Sequence, residues 1–98
     1  MFKWLFKRRP PDRRTVDIAT TAQEANGFEL QVRFVNLSAR GFRLKGSDSF
    51  REDSQLSIML PGYGEVVGRV VWVKSEECGG MFLTPIPIDE IRLAATAA

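Results

Sequence analysis

The sequence contains no histidine and a single cysteine, Cys78. Without histidine, neither a Ser-His nor a Cys-His nucleophile pair can be assembled. With no histidine and one thiol, a zinc site of the usual ligand set is excluded as well. One cysteine also rules out an internal disulfide and predicts a reducing, cytoplasmic compartment. Long apolar runs are missing too. The opening segment from Met1 to Lys7 is too short, and too interrupted by Lys3 and Lys7, for a signal peptide or a spanning helix. The acidic pair Glu76-Glu77, in a turn, consists of adjacent side chains that need not converge on a substrate. The expectation is a protein that is not an enzyme, with no catalytic residue, no metal and no cofactor.

What is present is one domain's worth of chain. At 98 residues the protein has room for one modest core, burying roughly 60–65% of its unfolded surface. Its 44% hydrophobic and 27% charged content is that of an ordinary globular domain. The net charge of +2 hides an asymmetry. Residues 1–14 hold six Lys/Arg against Asp12, a local +5, whereas the rest holds eight Lys/Arg against eleven Asp/Glu, or −3. Basicity is therefore an N-terminal device. A helical start would set Phe2, Leu5 and Phe6 against Lys3 and Lys7, a face for an anionic membrane or a partner. A frayed terminus, or aromatics tucked onto the domain itself, accounts for the same residues.

From Arg14 onward the apolar period is two, the signature of strands. Val16 and Ile18 alternate with Thr15 and Asp17. Asn26-Gly27 marks a hairpin turn, after which Phe28, Leu30, Val32 and Phe34 alternate with polar residues. Phe42 and Leu44 belong to a third strand starting at Gly41, and Gln55 to Leu60 form a fourth. Val66 to Val73 make a fifth, whose Val70-Val71-Trp72-Val73 run is apolar on both faces, with Trp72 read as core. Glu76 to Gly79 read as a turn with an inert Cys78 disfavoured as thiolate by its acidic neighbours, and Gly80 to Thr84 as the sixth strand. Pro85 and Pro87 end the sheet, and Asp89-Glu90 open a short helical pattern expected to pack on the outer side of strand five. Six short antiparallel strands predict an all-β barrel or sandwich.

Two stretches carry the functional signal. Arg9-Pro10-Pro11-Asp12-Arg13 sets two guanidinium forks four residues apart on a segment its prolines keep extended. Asn36-Leu37-Ser38-Ala39-Arg40-Gly41 is a polar turn after the most regular strand. An Arg-x-x-x-Arg element, a β-hairpin of about twenty residues, then Asn-x-Ser-x-x-Gly and a late Gly-Gly-Met-Phe resemble the PilZ domain, a bacterial receptor module for cyclic di-GMP. The resemblance runs over residues 8–86. It implies a six-stranded antiparallel barrel, a basic arm at residues 1–7 and a helical tail at residues 87–98. It further implies a ligand held between the arginine element (Arg8, Arg9, Arg13) and a shelf made by Asn36, Ser38 and Gly41. Arg40 and Arg33 are auxiliary candidates on the same side. The main departure is Pro10-Pro11, which stiffens a segment that reorganises on binding in the family.

The chemistry suits these residues. Cyclic di-GMP offers two phosphates and two guanine edges presenting O6 and N7, and arginine's planar fork matches either bidentately. Short Asn and Ser side chains reach guanine edges, and Gly41 permits a positive φ or close approach of a ligand. A downstream protein partner would read the ligand-induced change. Two alternatives stay open: a PilZ-fold protein–protein adaptor that binds no nucleotide, and a small nucleic-acid-binding barrel, which would show several exposed aromatics on one sheet face.

Overall fold

The structure, a computed structural model, describes residues 14–25, 27–46 and 49–91. Arg8, Arg9, Arg13 and the Phe2–Phe6 segment lie outside the described residues, as do Asn26 and residues 92–98. Six strands appear: β1 (Arg14–Glu24), β2 (Glu29–Leu37), β3 (Gly41–Lys45), β4 (Gln55–Leu60), β5 (Gly64–Lys74) and β6 (Glu77–Phe82). They close into an antiparallel barrel in the order β1-β2-β3-β6-β5-β4. Closure pairs every strand on both sides, so the barrel leaves no sheet edge to template aggregation. The all-β barrel expected from the resemblance is the observed fold.

Alternation fills the interior. Ile18, Ala22, Leu30, Val32, Phe34, Leu44, Leu56, Ile58, Leu60 and Val70 all point inward and are buried. Phe42 packs its ring against that of Phe82, with centroids 5.1 Å apart. Ile86, Ile88 and Ile91 join the same core from beyond β6. The expected C-terminal helix is, among the described residues, a single 3₁₀ turn at Ile88–Glu90. It plugs the core instead of covering the outer side of β5, and Val71 stays 54% exposed there.

Two one-residue bulges break the alternation, and both matter for the site. On β2, Phe34 pairs with Leu44 and Asn36 with Arg43, so Val35 is extra. Up to Phe34 the even positions face inward; past the bulge Leu37 takes the core and Asn36 turns out. On β5, Val70 pairs with Gly80 and Trp72 with Gly79, so Val71 is extra. Val66, Gly68 and Val70 face inward, but past the bulge Val73 packs on the core and Trp72 turns out. Trp72 is 37% exposed, which corrects its reading as core: strict period-two counting cannot see a bulge.

Two further readings are corrected. Phe28 has the parity of Leu30 but precedes β2, in the turn where its carbonyl accepts from the Glu24 N–H at 2.9 Å, and it is 58% exposed. Cys78 lies within β6 facing the core, because the β5–β6 turn is confined to Ser75 and Glu76. Burial pushes its thiol up to about 12, opposed by a hydrogen bond with the Leu44 backbone and helped least by its acidic neighbour Glu77.

Candidate functional site

Register builds the site. Thr15 on β1 pairs with Asn36 on β2, Asn36 with Arg43 on β3, Arg43 with Gly79 on β6, and Gly79 with Trp72 on β5. The two bulges therefore bring Asn36 and Trp72 into one transverse row on the outer wall, with Arg43 between them. At Gly79 a Cβ would run into the indole of Trp72, so the ring lies directly over that backbone. The row floors an outward-facing concavity of about 520 Å³, a size suited to a small ligand. Val71, Gly80 and Met81 complete its wall on the β5–β6 side, and Ser38, Arg40 and Gly41 on the other.

The Ser38–Gly41 shelf is a rigid turn. The Ser38 N–H donates to the Gly41 carbonyl at 3.0 Å, and the Gly41 N–H donates back to Ser38 Oγ at 3.1 Å. The Phe82 N–H donates to the Arg40 carbonyl and the Ile86 N–H to the Ala39 carbonyl, both at 2.8 Å. These bonds tie the turn to the chain leaving β6, so the shelf is fixed before any ligand arrives. Gly41 is not in the left-handed region. Its requirement is space: a Cβ would come within 3.0 Å of the Gly80 carbonyl on the neighbouring strand.

Electrostatics single out the same wall. Arg14 donates to Asp89 at 2.7 Å, Arg33 to Asp17 at 2.6 Å, and Arg69 to the Asp53 carbonyl at 3.3 Å. Arg51 sits 4.0 Å from the buried Glu24. Among the described residues, Arg40 has no such partner, Arg43 has only Glu77 at 3.8 Å, and the Asn36 amide has no hydrogen bond. All three line the concavity. Arg40 and the Asn36 amide thus offer free hydrogen-bonding groups and Arg43 a loosely paired one, and such donors suit an anion bearing hydrogen-bonding edges.

The sequence-predicted residues divide accordingly. Asn36, Ser38, Gly41 and Arg40 come together at the concavity. Arg33 does not: its Cα pairs with Ala19 and Lys45, farther along β2 from the shelf. Its hydrogen bond to Asp17, and then that carboxylate's charge, raise its pKa and commit it there. Arg8, Arg9 and Arg13 are outside the described residues, but the chain enters β1 at Arg14, whose Cα pairs with Leu37 beside the shelf. Sequence reasoning missed Arg43 and Trp72. For Arg43 the signal was its outward position two residues past Gly41; for Trp72 there was none short of the bulge.

The fold is thus a closed six-stranded antiparallel barrel that carries a polar turn and two exposed guanidinium groups, Arg40 and Arg43, beside one concavity of its outer wall. The chain belongs to the PilZ domain family, whose model matches residues 6–96. That family is one of cyclic di-GMP receptor modules. A comparison with curated proteins finds no match. No helix among the described residues is long and apolar enough to cross a membrane.

Proposed function

We propose that this protein is a cyclic di-GMP receptor in which the N-terminal arginines close over the outer-wall concavity and the altered surface signals to a partner protein. The observation carrying this reading is the convergence of Asn36, Ser38, Arg40 and Gly41 on one concavity beside the point where the chain enters β1. Arg9 lies five residues before Arg14, a span of at most about 17 Å, so its guanidinium is within reach of the shelf. Arg9 and Arg13 take guanine edges and phosphates, with Arg8 as an added contact, while Asn36 and Ser38 meet a guanine edge. Trp72 offers an exposed indole face on which a purine stacks. The ligand shifts the arm only by its differential affinity for the closed state, and Pro10-Pro11 lower the entropy lost on closing.

Calorimetric titration with cyclic di-GMP tests the proposal. Wild-type protein binds, and Arg9→Ala and Arg13→Ala each lose at least tenfold in affinity, from about 1.5–3 kcal/mol per charge-assisted bond. Wild-type binding that survives both substitutions removes the arginine assignment. No wild-type binding at all removes the receptor reading.

A further inference from the structure

We propose that Arg43 forms a second anion subsite, borne by the barrel wall rather than by the arm, that takes a phosphate of the ligand and is held ready by Glu77. The inference rests on the cyclic di-GMP reading and adds a contact outside the arginine element and the Asn36–Gly41 shelf.

The placement argues for it. Arg43 lies between Asn36 and Gly79 in the outer row, and Trp72 covers Gly79, so the guanidinium borders both the hydrogen-bonding shelf and the aromatic platform. A purine lying on that indole has its attached phosphate only a few bonds away, and Arg43 is the cation one strand over from the Gly79 backbone that the ring covers. The side chain of Arg43 is 45% exposed, and its closest acid is Glu77 at 3.8 Å, beyond hydrogen-bond length. The pair orients the guanidinium without saturating its five donors. An exposed ion pair of this kind contributes little to stability, so exchanging it for a phosphate costs little. Glu77 is not stranded by the exchange, because in register it stands between Lys45 on β3 and Lys74 on β5. Glu77 therefore acts as a competing anion that the ligand displaces.

The test is a double-mutant cycle read by titration with cyclic di-GMP, using the full chain. Arg43→Ala lowers affinity at least tenfold with the thermal midpoint within about 2 °C of wild type, because the side chain packs nothing in the core. Glu77→Gln raises affinity about threefold by removing the competitor. In the Arg43→Ala background Glu77→Gln has no effect, since Glu77 acts only through Arg43. A wild type that binds, with Arg43→Ala within twofold of it, overturns the subsite and leaves the receptor reading standing. A Glu77→Gln gain that persists without Arg43 overturns the exchange. A wild type that binds no cyclic di-GMP overturns both the subsite and the reading beneath it.

Discussion

The indole of Trp72 fills the space that a side chain at Gly79 would need, while the neighbouring Gly80 is filled from the other face by Phe42 and the Arg69 carbonyl. Two adjacent glycines are thus required for different reasons, and alanine separates them. At position 79 the new methyl meets Trp72 Cζ2 at 2.6 Å and closer indole atoms, all belonging to a surface side chain that can swing away. Gly79→Ala should cost about 1 kcal/mol, a midpoint loss of roughly 4–8 °C, and weaken ligand binding by dislodging the platform. At position 80 the methyl meets a backbone carbonyl and Phe42 Cζ at 2.5 Å, in a closed barrel where neither can move. Gly80→Ala should cost about 3 kcal/mol or more. Thermal melts with ligand titration check both, and equal destabilisation by the two would contradict the arrangement.

Trp72 should report ligand directly. Base–aromatic stacking contributes about 1–3 kcal/mol, so Trp72→Ala should lose roughly five- to a hundredfold in affinity. Trp72→Phe should keep most of it. The sequence has one other tryptophan, Trp4, so a Trp4→Phe background isolates the signal. Quenching of the remaining emission on cyclic di-GMP addition is the expected outcome; unchanged emission at saturating ligand would place the base elsewhere.

Ser38 has two tasks that one substitution divides. Its Oγ accepts the Gly41 N–H and so closes the shelf turn. Ser38→Ala leaves that half-buried N–H unpaired, costing about 1 kcal/mol of stability. The same change removes a ligand hydrogen bond and loosens the shelf, so affinity should fall more than the melting shift alone accounts for. Comparing the midpoint shift without ligand with the affinity measured well below it separates the two. If affinity is unchanged, Ser38 is only a turn residue.

The barrel was legible because alternation and turn residues carry it: Gln55–Leu60 forms β4 with the bounds read from its pattern, and Gly41 starts β3 as read. The Ser38–Gly41 turn was legible from its polar residues and its glycine, and its reading as a shelf came from the family resemblance. What escaped was the phase of β2 and β5 past Phe34 and Val70. A bulge reverses which residues face out, yet Val35 and Val71 are ordinary strand formers that give no local sign of being extra. The shift shows only in the pairing with β6, so Trp72 read as core and its place with Arg43 along the concavity was invisible. The β6 start was missed for a related reason. Glu76 to Gly79 read as a turn because Gly79 looks like a turn residue, but here it lies within β6 and makes room for Trp72.

Cys78 gives a prediction with a definite sign. A free thiol ionises near 9.0, whereas burial pushes that of Cys78 up to about 12. The folded protein therefore keeps a proton that the unfolded chain releases, and stability falls as pH rises through that interval. Below about pH 9 both states are protonated and the contribution is fully present; it drains away toward pH 12. The measurement is a difference between two proteins, so that ionisations common to both cancel. The denaturant-derived stability of wild type should decline more steeply between pH 9 and 11 than that of Cys78→Ala, although the variant starts lower because it leaves a small cavity. At pH 8 a thiol-specific reagent should label Cys78 only as fast as the barrel opens, and stoichiometrically in denaturant. Rapid labelling of the native protein would mean that β6 does not hold Cys78 against Leu44 inside a closed barrel.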